Sequence, residues 1–197
     1  WDERPHSWDI DERYRGGLGM ALALQGSGVA NIDVASVEVR LGDDGNYILY
    51  TGSSDMGTGS NTVLSQMACE VIGCPMEYMT VIESDTDIVP FDPGSYASST
   101  TYVTGTATKM AAEELRNKII EKFATFFETD VDNIDFDGVV ATTKDGSKKM
   151  DIHELAPKLV VGPKAEQLSG SATWGSHTSP PPFMASIAEV KVDKQTG

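Results

Sequence analysis

The sequence predicts an α+β fold: mixed sheets of hairpins and meanders with helices packed on one face. Two periodicities carry this reading. Stretches such as 33–53 alternate small or apolar residues with polar ones, the period of strands half-buried in a sheet. Ala107, Ala111, Leu115, Ile119 and Phe123 recur instead at the spacing of a helix buried along one stripe. Helices then alternate with hairpins along the chain. At 197 residues, 40% of them hydrophobic, there is material for one or two cores, and one domain, bilobed at most, is the default.

Taken in order, Trp1 to Arg15 mixes both charge signs with few aliphatic residues and is expected to be a connecting segment, an exposed helix or linker. Residues 16–197 are expected to form one domain, with a soft joint near Thr129. From Gly17 to Thr51 the alternation predicts three strands in a meander, with Asp44-Gly45-Asn46 turning the second into the third. After Gly57-Thr58-Gly59, the residues Val63, Leu64, Met67, Ala68 and Val71 mark a helix that Gly73 and Pro75 end. A strand over Tyr78 to Glu83 leads through a polar segment into the long helix, giving β-β-β-α-β-α. Beyond Thr129 come a strand pair around Lys144 to Lys148, a helix near Ile152 to Leu159, a Gly/Ser-rich strand and a last alternating strand, Ala185 to Asp193.

Fifteen Lys and Arg against thirty Asp and Glu leave a net charge of −15. That argues against a non-specific nucleic-acid binder, which neutralises phosphates with clustered cations, and against an anionic membrane surface. No apolar run approaches the length that spans a bilayer, and the start lacks a signal core, so the expectation is a soluble protein. Cys69 and Cys74, the only cysteines, make neither a disulfide framework nor a zinc site, which points to reduced thiols and a cytoplasmic location. The chain opens without Met and stops where a strand has just reached a turn, so we expect a piece of something larger.

Two segments carry candidate chemistry. Asp55 to Thr62 is a glycine-rich turn entering a helix, where glycines permit close backbone approach and the first helical N–H groups favour an anion such as phosphate. It has neither the Lys of a Walker A loop nor the third glycine of a Rossmann fingerprint. A plain capped helix start stands beside the anion site as an equal reading. Asp92 to Thr101 again sets small hydroxyl residues where a long helix begins, and two such starts could converge on one elongated anionic ligand. The run Asp130 to Gly138 has Asp135 where a calcium loop requires glycine and reads as a solvated acidic turn. His6, His153 and His177 lack metal-ligand spacing, and no Gly-x-Ser-x-Gly elbow occurs.

As an ordered set, these pieces resemble the cofactor-binding subunit of the molybdenum hydroxylases, the xanthine dehydrogenase and aldehyde oxidase family. The matching residues are Gln25-Gly26-Ser27-Gly28, Asp55 to Thr62, Ala68-x-Glu70-x-x-Gly73-x-Pro75, Asp85-Thr86-Asp87 with Pro90, Gly94 to Thr101, and Ala188-Glu189-Val190-x-Val192-Asp193-x-x-Thr196-Gly197. The resemblance implies a domain of the molybdenum cofactor-binding type. Its ligand would be molybdopterin or molybdopterin cytosine dinucleotide carrying molybdenum. It implies that Met56, Gly57, Thr58 and Gly59 lie against the pterin end. It further implies that Gly94, Ser95, Tyr96, Ala97, Ser98, Ser99 and Thr100 form a second cofactor loop, with Ala97 nearest the metal. Many members have Gln at the position of Thr58, and many bacterial ones have Arg at the position of Ser99. The implied reaction is hydroxylation of an aldehyde or N-heterocycle with water as oxygen source. No catalytic residue is assigned, because the family's glutamate base belongs to a motif beyond Gly197. Iron–sulfur and flavin modules of a homo-oligomeric parent would receive the electrons, since two cysteines cannot ligate an iron–sulfur cluster. Two rival readings stay open: a stand-alone nucleotide- or anion-binding module, and an interaction domain without redox chemistry.

Overall fold

Strands form where the alternation is strictest in the computed structural model, which describes residues 1–197. The elements are β1 (Ser7–Asp9), β2 (Tyr14–Leu24), β3 (Val34–Leu41), β4 (Tyr47–Thr51), α1 (Ser60–Ile72), β5 (Met79–Glu83), α2 (Val103–Phe127), β6 (Ile134–Phe136), β7 (Val140–Thr143), β8 (Lys149–Asp151), α3 (Ile152–Leu159), β9 (Ser169–Gly175) and β10 (Phe183–Asp193). Their packing makes two units, residues 1–27 with 180–197, and residues 28–179.

The first unit is a three-stranded antiparallel sheet in the order β1-β2-β10. It corrects two expectations. The stretch Trp1–Arg15 carries a strand, because Trp8 pairs with Gly16 and its indole fills the space a side chain there would need: a Cβ on Gly16 would stand 2.1 Å from the ring. The three-strand meander does not form either. β2 pairs with β10 from Tyr14↔Asp193 to Leu24↔Phe183. Local alternation marks both strands, but says nothing about a partner at the far end of the chain.

The second unit is built on a sheet of order β5-β4-β3-β9, antiparallel except for the β4–β5 pair that α1 connects. Along β3 the side chains of Ala35, Val37, Val39 and Leu41 are buried and their neighbours half-exposed, which is the signature of one covered face. Leu64, Ala68 and Ile72 of α1 and Ala107, Ala111, Leu115, Ile119 and Phe123 of α2 share the core with them. The Gly/Ser-rich character of β9 has a packing reason. A Cβ on Gly170 would lie 2.1 Å from the Ala111 carbonyl oxygen, so α2 lies directly on the strand's backbone. A second antiparallel sheet, β6-β7-β8, joins the same core through Phe136, whose ring centroid is 5.4 Å from that of Phe123, with Ile152 and Leu155 of α3. α2 begins at Val103, after the hydroxyl-rich run of Asp92 to Thr101 rather than within it, because Ala97 (φ 48°) and Ser98 (φ 55°) are left-handed and cannot belong to a right-handed helix.

Candidate functional site

At the start of α1, the residue before the helix is Gly59, left-handed at φ 75° and ψ 22°, with no side chain to cap it. Asp55 does the capping from four residues upstream. Its Oδ1 accepts from the N–H groups of Gly57 (2.9 Å) and Gly59 (3.1 Å), and its Oδ2 from that of Asn61 (3.3 Å). The Asp55 N–H in turn donates to Glu83 Oε2 at 3.0 Å, fixing the turn to the end of β5. Burial acts to raise the Asp55 pKa, but the N–H groups of Gly59, Gly57, Asn61 and Thr58 outweigh it and hold the carboxyl below its ordinary value. Of the two readings of this turn, the arrangement favours the capped helix start: the chain's own carboxylate takes the N–H groups of Gly57, Gly59 and Asn61, and a phosphate would meet its charge.

What the turn leaves open is different in kind. Ser60 Oγ and Asn61 Oδ1 are buried with no hydrogen-bond partner. Buried polar atoms of this sort cost free energy unless something pairs with them. Met56, Gly57 and Thr58, earlier in the same turn, are exposed, and a Cβ on Gly57 or Gly59 would meet nothing within 4 Å.

The second candidate loop is tied to the first. Ser95 Oγ donates to the carbonyl of Ser54, just ahead of Asp55, at 2.7 Å. Asp92 accepts from Gly94 N–H (2.8 Å) through Oδ1 and from Thr104 Oγ (2.9 Å) through Oδ2, joining the loop's start to α2. Ser99 Oγ donates to the Tyr96 carbonyl at 2.8 Å, so the hydroxyl is used within the loop rather than as a helix cap, and α2 has no side-chain cap at all. The Ala97 carbonyl accepts from Gly28 N–H at 2.8 Å. Two consecutive left-handed non-glycine residues, Ala97 and Ser98, cost about 1–3 kcal/mol each. These surrounding bonds are what hold them there, and strain of this kind concentrates at ligand-binding loops.

Asp33 anchors this loop from beneath. It is 2% exposed; Oδ2 accepts from Val29 N–H at 2.7 Å, and Oδ1 accepts from the Tyr96 hydroxyl. The Asp33 hydrogen bond, then burial, then the Asp33 and Asp92 charges push the Tyr96 pKa up. All eleven candidate positions therefore fall on two loops that meet at the Ser54–Ser95 bond. Sequence reasoning missed Asp33, Ser60 and Asn61 as site residues. It passed over Asp55 and Asp92 as anchors, although an Asp two residues before a glycine is a recognisable turn-capping signal. Away from the site, His153 Nδ1 pairs with Asp151 Oδ1 at 2.6 Å, and Asp137 Oδ1 caps the turn into β7 by accepting from Val139 and Val140 N–H groups.

Comparison with known proteins bears on what this pair of loops holds. The family model of molybdopterin cofactor-binding domains matches residues 1–197. A probable hypoxanthine oxidase of Escherichia coli is 37% identical over 92% of this chain and 19% of its own length. A putative xanthine dehydrogenase molybdenum-binding subunit of the same organism is 30% identical over 91% of this chain and 25% of its own. Among solved structures, the CO dehydrogenase of Oligotropha carboxidovorans superposes with a TM-score of 0.77 at 23% identity, over 92% of this chain and 24% of that one. This chain thus spans about a fifth to a quarter of the length of these relatives.

Proposed function

The chain belongs to the family of molybdopterin cofactor-binding domains, and from that premise we propose that its two loops hold the molybdenum cofactor in the large subunit of a molybdenum hydroxylase. The observation that carries this reading is the pair of orphaned atoms at the start of α1. Asn61 Oδ1 is an acceptor in want of an N–H donor, and Ser60 Oγ can donate or accept. A pterin ring edge offers both kinds of group. The residues thus fit the organic part of the cofactor, with Met56, Gly57, Thr58 and Gly59 beside it and Gly94, Ser95, Tyr96, Ala97, Ser98, Ser99 and Thr100 forming the second contact.

Asp55 gives this end of the site its selectivity. A carboxylate seated on the helix N-terminus repels phosphate but tolerates a neutral, donor-rich ring. The same fact weighs against a stand-alone nucleotide- or anion-binding module at α1. The orphaned atoms weigh against a purely structural domain, since an interaction domain gains nothing from leaving them unpaired. Bound molybdenum would supply two-electron redox chemistry and water-derived oxygen for hydroxylation at carbon. The 37% identity to a probable hypoxanthine oxidase favours an N-heterocycle over an aldehyde as substrate. The base, the iron–sulfur and flavin partners and the homo-oligomeric contacts lie with the rest of the parent enzyme. No helix here is long and apolar enough to cross a membrane, and the free thiols of Cys69 and Cys74 support a cytoplasmic parent.

Ser60→Ala in the parent subunit tests this. Removing an orphaned hydroxyl leaves the cofactor-free protein as stable as before or slightly more so, while the loss of one hydrogen bond of about 1 kcal/mol weakens cofactor affinity roughly fivefold. Unchanged affinity together with unchanged stability would overturn the assignment of Ser60 to the cofactor.

A further inference from the structure

Large apolar side chains stand bare on the sheet of the first unit. Leu18 is the one buried apolar side chain of residues 1–27 and 180–197, whereas Met20, Leu22, Leu24, Phe183 and Ile187 are exposed, Phe183 by 80% and Leu22 by 74%. Residues opposite each other in an antiparallel ladder share a face. The register sets Leu24 against Phe183, Leu22 against Ala185 and Met20 against Ile187, which makes one continuous apolar patch. Further along the same face the chain supplies its own cover. The Trp8 indole fills the space over Gly16, and the Lys191 ammonium sits 4.0 Å from the centroid of the Tyr14 ring.

The edge beside the patch is open as well, because β10 has β2 on one side only. Two hydrogen bonds continue the ladder at either end in the same register: Ser27 N–H donates to the Pro180 carbonyl at 3.0 Å, and Lys194 N–H to the Arg13 carbonyl at 2.8 Å. Even-numbered residues of β10 therefore bond to β2. Phe183, Ala185, Ile187, Glu189 and Lys191 turn their N–H and C=O groups outward, and these are the residues whose side chains lie on the face of the patch. A sheet this small is stable only with one apolar face covered, and an open edge is a template for another strand.

We infer that polypeptide of the parent large subunit from outside this chain covers this sheet. An extended segment adds to the β10 edge as a fourth strand, and apolar side chains from it and from the chain joined to it pack on Leu22, Phe183 and Ile187. The outward backbone groups provide the pairing, and the patch selects a strand that is apolar on one face. The relatives supply the length: this chain spans 19% of one and 25% of another, so most of such a parent lies outside it, tethered and at high effective concentration. A second copy of this chain is the poorer occupant, because each copy carries a net charge of −15 and repels the other.

Hydrogen–deuterium exchange resolved to single residues, on the parent large subunit and on this chain alone, tests the inference. In the parent, the N–H groups of Ala185, Ile187 and Glu189 should exchange as slowly as those of Ser186 and Ala188. In the chain alone they should exchange fast. Leu22→Ser should lower the melting temperature of the parent more than that of the chain alone, where Leu22 is already in water. Fast exchange at the odd-numbered positions in the parent would overturn the inference, since the edge would then be bare. Slow exchange there in the chain alone would overturn it too, because the cover would then be a second copy or the chain itself. An equal shift of both melting temperatures would contradict the burial of Leu22 by the parent.

Discussion

Gly59→Ala separates what the α1 turn needs in order to fold from what it needs in order to bind. Gly59 is left-handed, φ 75° and ψ 22°, and a Cβ there would meet nothing within 4 Å. The substitution therefore costs only the left-handed strain of an L-residue, about 1–2 kcal/mol. For a protein of this size that is a fall in Tm of about 2–8 °C. Binding should suffer far more, because the added methyl stands in open space on the turn that, in the proposed reading, lies against the cofactor. The assay is a thermal melt followed by circular dichroism, with molybdenum measured per purified parent subunit. A folded variant with full molybdenum would refute the close-approach argument. A melt lowered far beyond that range would show that the turn is packed where the structure leaves it clear.

Asp33→Ala removes the acceptor of the Val29 N–H and of the Tyr96 hydroxyl. The bond from a backbone N–H to a carboxylate alone is worth about 1.5–3 kcal/mol, so the urea midpoint should drop correspondingly, and Asp33→Asn, which keeps an acceptor, should drop less. Acid should act on the β7–β8 turn. Asp145 accepts from Thr143 Oγ, then from the Ser147 N–H and hydroxyl, and these bonds bring its pKa from 3.8 down to about 2. Its contribution is complete above its unfolded value and is lost as pH falls through about 2. An NMR titration of the Asp145 carboxyl with a midpoint near 3.8 would contradict those bonds.

Local signals made much of this molecule legible. The buried stripe of α2 and the alternation of β3 are each written within a few residues, because one face of each element is buried and the other is not. Pairing of β2 with β10 is written nowhere locally, and the meander inferred from adjacency failed for that reason. At the site, the glycine turn and the hydroxyl-rich loop were visible as compositions, but how their polar groups are used was not. The start of the helix looked open to an anion, whereas Asp55, four residues before Gly59, already accepts from the N–H groups of Gly57, Gly59 and Asn61. The hydroxyl run of Asp92 to Thr101 looked like a helix start, whereas Ser98 within it is held left-handed ahead of the helix. Asp33 resembled any acid at the edge of a strand, and only the fold brings Tyr96 onto it.

The central claim, that the loops at Asp55–Asn61 and Gly94–Thr100 hold the cofactor together, is tested most directly by hydrogen–deuterium exchange on the parent large subunit with and without its cofactor. Loading should slow exchange in both loops at once and leave the β7–β8 turn around Asp145 unchanged. Equal exchange in both loops, loaded or empty, would contradict the account.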